Sequence, residues 1–300
     1  NEALFERKYL YACHMQLLEN TGGLFTHLRG HASFTGRNTI SVDRAGQRIE
    51  ATAEHFIIAT GSRPRALPNV TVDEKCIMTS DGIFHINDLP ESIVIIGAGV
   101  IGCEFATIFS NFGRTKVHLI DRADRILPFE DTDVSELVAR NLERRGVVIH
   151  RNAKLERIEA MPHGIEYDLS YADGRTERVN VERALLSVGR IPNLENLGLE
   201  HLGLELDPVT HLLTVEGTRT AQEHVHVVGD ASGSNMLVNL GEMEGRHTVE
   251  RIFGLQPPAL SYANVSNIMF LDPEVAGVGL NEQECRKRGI PYRVARIDYA

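Results

Sequence analysis

One stretch of this chain constrains its fold more than any other. A β-branched run, Ile93-Val94-Ile95-Ile96, leads without a break into Gly97-Ala98-Gly99-Val100-Ile101-Gly102. Nineteen residues past Gly102, a second apolar run, Val117-His118-Leu119-Ile120, ends in Asp121. Strand, glycine turn, helix, strand and acid in this order are the dinucleotide-binding fingerprint in its proper context. Gly97 permits the tight strand-to-helix turn. Gly99 lets a pyrophosphate approach the backbone, and Gly102 lets the helix pack on the sheet. The helix start around Ile101 offers unpaired N–H groups and the positive end of its dipole to phosphates. Asp121 is placed to accept hydrogen bonds from the adenosine ribose hydroxyls.

Composition narrows the class. With 300 residues, 42% hydrophobic and 24% charged, the chain reads as globular with about two domains. A net charge of −10 argues against a nucleic-acid or anionic-membrane surface. No apolar stretch reaches the length of a membrane span, and Asn1–Lys8 is too charged for a signal peptide. Cys13, Cys76, Cys103 and Cys285 lie far apart, the pattern of a reduced, cytoplasmic protein. Cys103 reads as a small buried residue on the motif helix. The histidines form no metal-binding motif, and His224 and His226 read as one face of a strand. No metal site is expected.

Along the chain, residues 1 to about 20 read as a helix stopped by Thr21-Gly22-Gly23. Strands are expected at 24–34, 39–43 and 48–53, with a hairpin at 44–47. His55 to Gly61 reads as a buried strand ending in a sharp turn, followed by an extended linker at Arg63-Pro64 and Leu67-Pro68. Strand 92–96, helix 100–112 and strand 116–120 make a βαβ unit. A second helix, from about 133 to 145, takes Asp131 or Thr132 as its cap. A parallel strand at 147–149, an antiparallel meander over 153–181 and a core strand at 184–188 come next. More strands are expected over 210–230, then a helix from about 240 to 253. Residues 261–300 open another unit.

Three further signatures align with the first: Ala59-Thr60-Gly61 after a strand, Gly189-Arg190-Ile191-Pro192-Asn193, and Val225-His226-Val227-Val228-Gly229-Asp230. In this order they resemble the flavin-dependent pyridine nucleotide–disulfide oxidoreductases. Asp272-Pro273-Glu274-Val275-Ala276-Gly277-Val278-Gly279 resembles the opening of that family's interface domain. The resemblance implies an α/β fold with two Rossmann-like domains, one for FAD and one for NAD(P). The NAD domain, 87–210, is inserted into a partial FAD domain made of 1–86 and 211–260. Residues 261–300 begin an α+β dimerisation domain. The family's N-terminal FAD strand, its C-x4-C redox pair and its His-Pro motif have no counterpart here, so the expectation is an internal part of a longer chain that is inactive alone.

Residue by residue, the resemblance implies that Asp230 bonds a ribitol hydroxyl of FAD, with Thr60 and Gly61 also at the flavin. The helix beginning near Leu237 directs its N-terminal end at the isoalloxazine. Gly97, Gly99, Ile101, Gly102, Asp121 and Gly189 serve the nicotinamide nucleotide. Glu104, two residues past Gly102, lies between nicotinamide and flavin as the catalytic carboxylate. Gly241 and Gly245 suit a closely packed helix. Asp121 favours NAD, because a carboxylate repels a 2′-phosphate. NADP stays open through Arg122 and Arg125. The expected function is a homodimeric flavoprotein that moves hydride between NAD(H) and FAD on a small-molecule substrate. Dihydrolipoamide dehydrogenase is the nearest type and the soluble NAD(P) transhydrogenase the alternative, although Asn239-Leu240 departs from the histidine-lysine of the former. A non-enzymatic NAD-binding or redox-sensing module is the reading of a different class.

Overall fold

A computed structural model describes residues 2–233 and 235–297, with side chains from residue 8 onward. Helix α1 (Glu2–Glu19) precedes an antiparallel meander of β1 (His31–Gly36), β2 (Thr39–Arg44) and β3 (Gln47–Thr52). Short strands β4 (Phe56–Ile58), β5 (Ser62–Pro64) and β6 (Ile77–Met78) follow. Next come β7 (Ser92–Ile96), α2 (Val100–Asn111), β8 (Lys116–Ile120), α3 (Thr132–Arg144) and β9 (Val148–His150). A second meander, β10 (Ala153–Met161), β11 (Gly164–Tyr171) and β12 (Thr176–Val181), leads to β13 (Arg183–Leu186) and β14 (Arg190–Pro192). The remainder contains β15 (Val225–Val227), α4 (Val238–Ile252), the hairpin β16 (Ser266–Met269) and β17 (Val275–Val278), and α5 (Glu282–Arg288).

The chain divides into two units. One joins Asn1–Ser62 to Pro192–Leu260; the other joins Arg63–Ile191 to Ser261–Ala300. These breaks come earlier than the motif-based boundaries at 86/87 and 210/211, for two reasons. Strand β6 pairs in parallel with β13, which draws residues 77–78 into the sheet of the second unit. Leu194, Leu197, Leu199, Leu202 and Leu204 are buried with Phe34, Phe56, Val225 and Val227 in the core of the first.

The second unit is built on a parallel sheet of order β6-β13-β7-β8-β9. Strand alternation divides its side chains between two cores, so both faces are covered. Ile93 and Ile95 of β7 with Val117 and Leu119 of β8 pack against Ala106 and Phe109 of α2 and Val138 and Leu142 of α3. Val94, Ile96 and Ile120 face Ile158, Ile165, Tyr167 and Leu169 of the second meander. Met269 and Leu271 join the helix-side core, so the β16–β17 hairpin belongs to this unit.

In the first unit β15 and β4 run parallel, with Val227 opposite Ile58. Two expectations differ from the structure. Residues 24–30 form no strand. The 210–224 region holds only isolated bridges, Leu206 to Leu213, Glu216 to Arg219 and Arg219 to His226, because positive φ angles at His211 (58°) and Gly217 (64°) turn the chain. Asp131 occupies the N-cap position of α3 without its side chain capping the helix; its Oδ1 accepts from the Glu282 N–H at 2.9 Å. No helix among the described residues is long and apolar enough to cross a membrane.

Candidate functional site

The glycine turn lies at the carboxyl end of β7, where open parallel sheets hold their ligands. Gly97 has φ +101°, and a Cβ there would strike the Ser187 carbonyl. Ser187 also donates its hydroxyl to the carbonyls of Ile96 (2.9 Å) and Gly97 (2.8 Å), which fixes the turn against β13. A Cβ on Gly102 would collide with the Gly97 carbonyl, so this glycine is what permits α2 to meet the turn. Around Gly99 nothing lies within 4 Å of where a Cβ would be. The middle glycine thus borders open space while its two neighbours are packed. That is the arrangement a backbone needs if a phosphate is to approach it. Ile101 lies in the first turn of α2.

Asp121 closes the other side. Its Oδ2 accepts from the Ala98 N–H at 2.6 Å and its Oδ1 from the Ala123 N–H at 2.9 Å. Each oxygen keeps a further lone pair, so the carboxylate is fixed and still able to accept hydroxyl hydrogen bonds. Arg125 is committed elsewhere, donating to the Pro128 carbonyl (2.7 Å) and the Thr132 hydroxyl (3.0 Å).

Glu104 stands on the first turns of α2, half-buried, and its Oε1 accepts from the Phe270 N–H at 2.9 Å. The end of β16 therefore fixes this carboxylate. Burial, with Asp121 and Glu104 adding to it, pushes the Cys103 thiol far above its ordinary range, so Cys103 stays protonated and inert. Gly189 has φ +99°, and its carbonyl accepts from the Arg65 N–H at 3.0 Å.

The remaining predicted residues belong to the first unit. Thr60 and Gly61 follow β4, and Gly229-Asp230 follows β15, so the parallel pairing brings both turns to one sheet end. The Thr60 hydroxyl donates to the Asn193 carbonyl at 2.6 Å, and Asn193 returns a bond to the Thr60 carbonyl at 3.1 Å. Gly61 has φ +70° with nothing near a Cβ. Ser62 donates to Asp230 Oδ2 at 2.6 Å. Leu237 is the residue before the first turn of α4. Gly241 passes close to Gly229, with a Cβ 3.1 Å from its Cα, whereas a Cβ on Gly245 would meet open space, so only Gly241 makes the close approach.

Sequence reasoning missed Glu244. It is fully buried, and its Oε2 accepts from the Gly229 N–H at 2.7 Å, steadying the turn that presents Asp230. Its signal is an acid four residues into the inward stripe begun by Leu240. Among the described residues no group of His, Cys, Asp or Glu has the arrangement of a metal site.

The parallel sheet, glycine turn and carboxylate define a dinucleotide-binding α/β protein. A family model for pyridine nucleotide-disulphide oxidoreductases matches residues 14–245. The chain belongs to that family. It is similar to a dihydrolipoyl dehydrogenase of Bacillus subtilis, 32% identical over 274 residues, covering 91% of this chain and 57% of that protein. It is also similar to the leghemoglobin reductase of Glycine max, 30% identical over 290 residues, covering 94% and 55%. Among solved structures, a mutant of the HOCl-induced flavoprotein disulfide reductase RclA of Escherichia coli, in complex with Cu(II), superposes with a TM-score of 0.85 at 25% identity, covering 94% of this chain and 63% of that one. LpdA of Mycobacterium tuberculosis gives 0.78 at 28% identity, covering 87% and 57%. The chain spans a little over half the length of the curated relatives it matches.

Proposed function

We propose that this chain is the nucleotide-binding part of a flavoprotein oxidoreductase that moves hydride between NAD(H) and FAD, of the dihydrolipoyl dehydrogenase type. The carrying observation is the open space at Gly99 between two packed glycines, with Asp121 fixed beside it. The unit built on β7 takes the nicotinamide nucleotide, and the unit built on β4 and β15 takes the flavin. Residues from Ser261 on begin a dimerisation domain, and the working enzyme is a cytoplasmic homodimer acting on a small dithiol or disulfide.

Bound together, the two cofactors supply a hydride donor and a two-electron acceptor. The residues of this chain bind and orient. The helix α2 N-terminus and the N–H groups from Gly99 to Ile101 receive the pyrophosphate. Asp121 accepts the ribose hydroxyls and selects against a 2′-phosphate. Because Asp121 is tied to two N–H groups and Arg125 to Thr132 and Pro128, Arg125 is poorly placed to reverse that preference. Glu104, fixed by Phe270, orients the carboxamide end of the nucleotide. Thr60, Gly61 and Asp230 receive the flavin, with Asp230 accepting a ribitol hydroxyl, and the N-terminal end of α4 after Leu237 favours negative charge on the reduced ring. Gly189 shapes the far wall of the nucleotide site.

Calorimetric titration of NADH tests this reading. Binding in the parent and its loss in Gly99→Leu, with the fold intact by circular dichroism, is the expected result. Equal binding by both proteins would remove the glycine turn as the site.

A further inference from the structure

Beneath Asp121 lies a chain of four side chains that the proposed reaction does not use. His118 of β8 and His150 of β9 are buried and stacked, with ring centroids 5.4 Å apart and planes 15° apart. Their Nδ1 and Nε2 atoms are 3.1 Å apart. The other nitrogen of His150, Nδ1, is 2.7 Å from the Tyr171 hydroxyl, which donates to Glu177 Oε2 at 3.0 Å. An ionised carboxylate at one end sets the direction of the whole chain. Tyr171 donates to Glu177, so its oxygen accepts from His150 Nδ1–H. His150 Nε2 then accepts from His118 Nδ1–H. Every bond is satisfied with both imidazoles neutral.

The charged and titratable groups around the pair do not make up for a buried cation. Lys116 lies on β8 and Arg175 stacks over the Tyr171 ring at 3.8 Å, both opposing protonation. Asp173 in the β11–β12 turn acts on Tyr171, and Tyr167 packs its ring edge-on to His118. Among the described residues Glu177 is the one acid that acts on the histidines, 3.7 Å from His150 Nδ1 and partly solvated. Val94 and Ile96 of β7 contribute only apolar contacts to this core. Burial, then His150 and Lys116, push His118 down to about 4, and burial lowers His150. A second proton would put two N–H groups into the same gap.

The histidine pair is laced to the nucleotide loop. The Asp121 N–H donates to the His150 carbonyl (3.0 Å), the Ala153 N–H to the Asp121 carbonyl (2.9 Å) and the Asn152 N–H to the Ala123 carbonyl (2.9 Å). We propose that His118, His150, Tyr171 and Glu177 form a proton-sensitive brace that holds the Asp121 loop in its binding geometry and releases it when the pair is protonated. That this loop serves a nucleotide rests on the function proposed above; that it is braced does not. The direction follows from linkage. Groups whose folded form resists protonation make the closed loop stable above the ordinary histidine range, and that stability is lost as pH falls through about 6.5 toward about 4.

Hydrogen exchange, corrected for intrinsic rates, of peptides covering 119–126 and 148–154 tests the brace, with NADH affinity measured alongside. From about pH 7.5 to about pH 5 the parent is expected to lose tenfold or more in protection at these peptides, and a similar factor in affinity. In His118→Val the loss is expected to be about threefold or more smaller than in the parent, because only His150 remains to be protonated. Should His118→Val not fold, Tyr171→Phe keeps the ring volume and lets a protonated His150 meet Glu177 directly. Its loss of protection over the same pH range is expected to be smaller than in the parent, because a His150 cation paired with Glu177 costs the closed loop less. Identical pH profiles in parent and variant overturn the brace. Loss of protection in the parent with no NADH binding at any pH would leave the brace standing and overturn the nucleotide reading instead.

Discussion

The Ala98 N–H donates to the Asp121 carboxylate at 2.6 Å, tying the middle of the glycine turn to the end of the neighbouring strand. A second N–H, from Ala123, holds the other oxygen. The acid proposed for the ribose is therefore tied to the turn proposed for the phosphates, and neither can shift alone.

Cofactor choice follows from this contact. NADH is expected to bind more tightly than NADPH by about 1–3 kcal/mol, roughly fivefold to 150-fold, at low ionic strength. Asp121→Asn removes the repulsion while keeping an acceptor for Ala98, and is expected to narrow the gap. Equal affinities in the parent would mean that Arg122 or another cation compensates for Asp121.

Gly99 and Gly102 separate binding from folding. Gly102→Ala drives a Cβ into the Gly97 carbonyl and is expected to cost about 2 kcal/mol or more of stability in urea unfolding. Gly99→Ala meets open space, so the expected change is below about 1 kcal/mol in stability, with weakened nucleotide binding. Equal destabilisation by both would contradict the assigned roles.

Tyr167 is fully buried, and its hydroxyl has no hydrogen-bond partner among the described residues. Leaving a hydroxyl dry and unpaired costs about 1–3 kcal/mol. Tyr167→Phe is therefore expected to leave stability unchanged or raise it by about 1 kcal/mol, read as an increased urea midpoint with constant slope. A clear drop would place a bound water on that oxygen.

On the flavin side, Asp230→Ala is expected to weaken FAD by about 1.5–3 kcal/mol, the scale of a charge-assisted hydrogen bond. Ser62→Ala frees one Asp230 oxygen from its 2.6 Å partner and is expected to have a smaller effect of the same sign. Flavin release followed by fluorescence compares them.

What the sequence could show was governed by how local each demand is. The glycine turn was legible because a positive φ at Gly97 and a collision at Gly102 are constraints that only glycine meets. The unbroken apolar run from Ile93 to Ile96 likewise announced a strand covered on both faces. The partner of Asp121 was not legible, since Ala98 lies 23 residues away and the contact depends on strand register. The same holds for Phe270 at Glu104, 166 residues apart. Asp131 looked like a cap, yet a competing donor, the Glu282 N–H, takes its carboxylate. Leu194 to Leu204 carry no helix or strand period, so nothing in their spacing told which core they fill. His118 stood in the apolar run that leads to Asp121, with nothing local to name a partner, and only the fold sets His150 beside it.

We propose that NAD(H) on the glycine turn exchanges hydride with a flavin under the control of Glu104. Rapid anaerobic mixing of the flavin-loaded protein with NADH, following the loss of flavin colour, tests it directly. Reduction by NADH, faster than by NADPH and slowed in Glu104→Gln with the flavin retained, is the predicted result. A flavin that stays oxidised with both nucleotides, or one that Glu104→Gln releases while still being reduced at the parent rate, would rule out hydride transfer under Glu104.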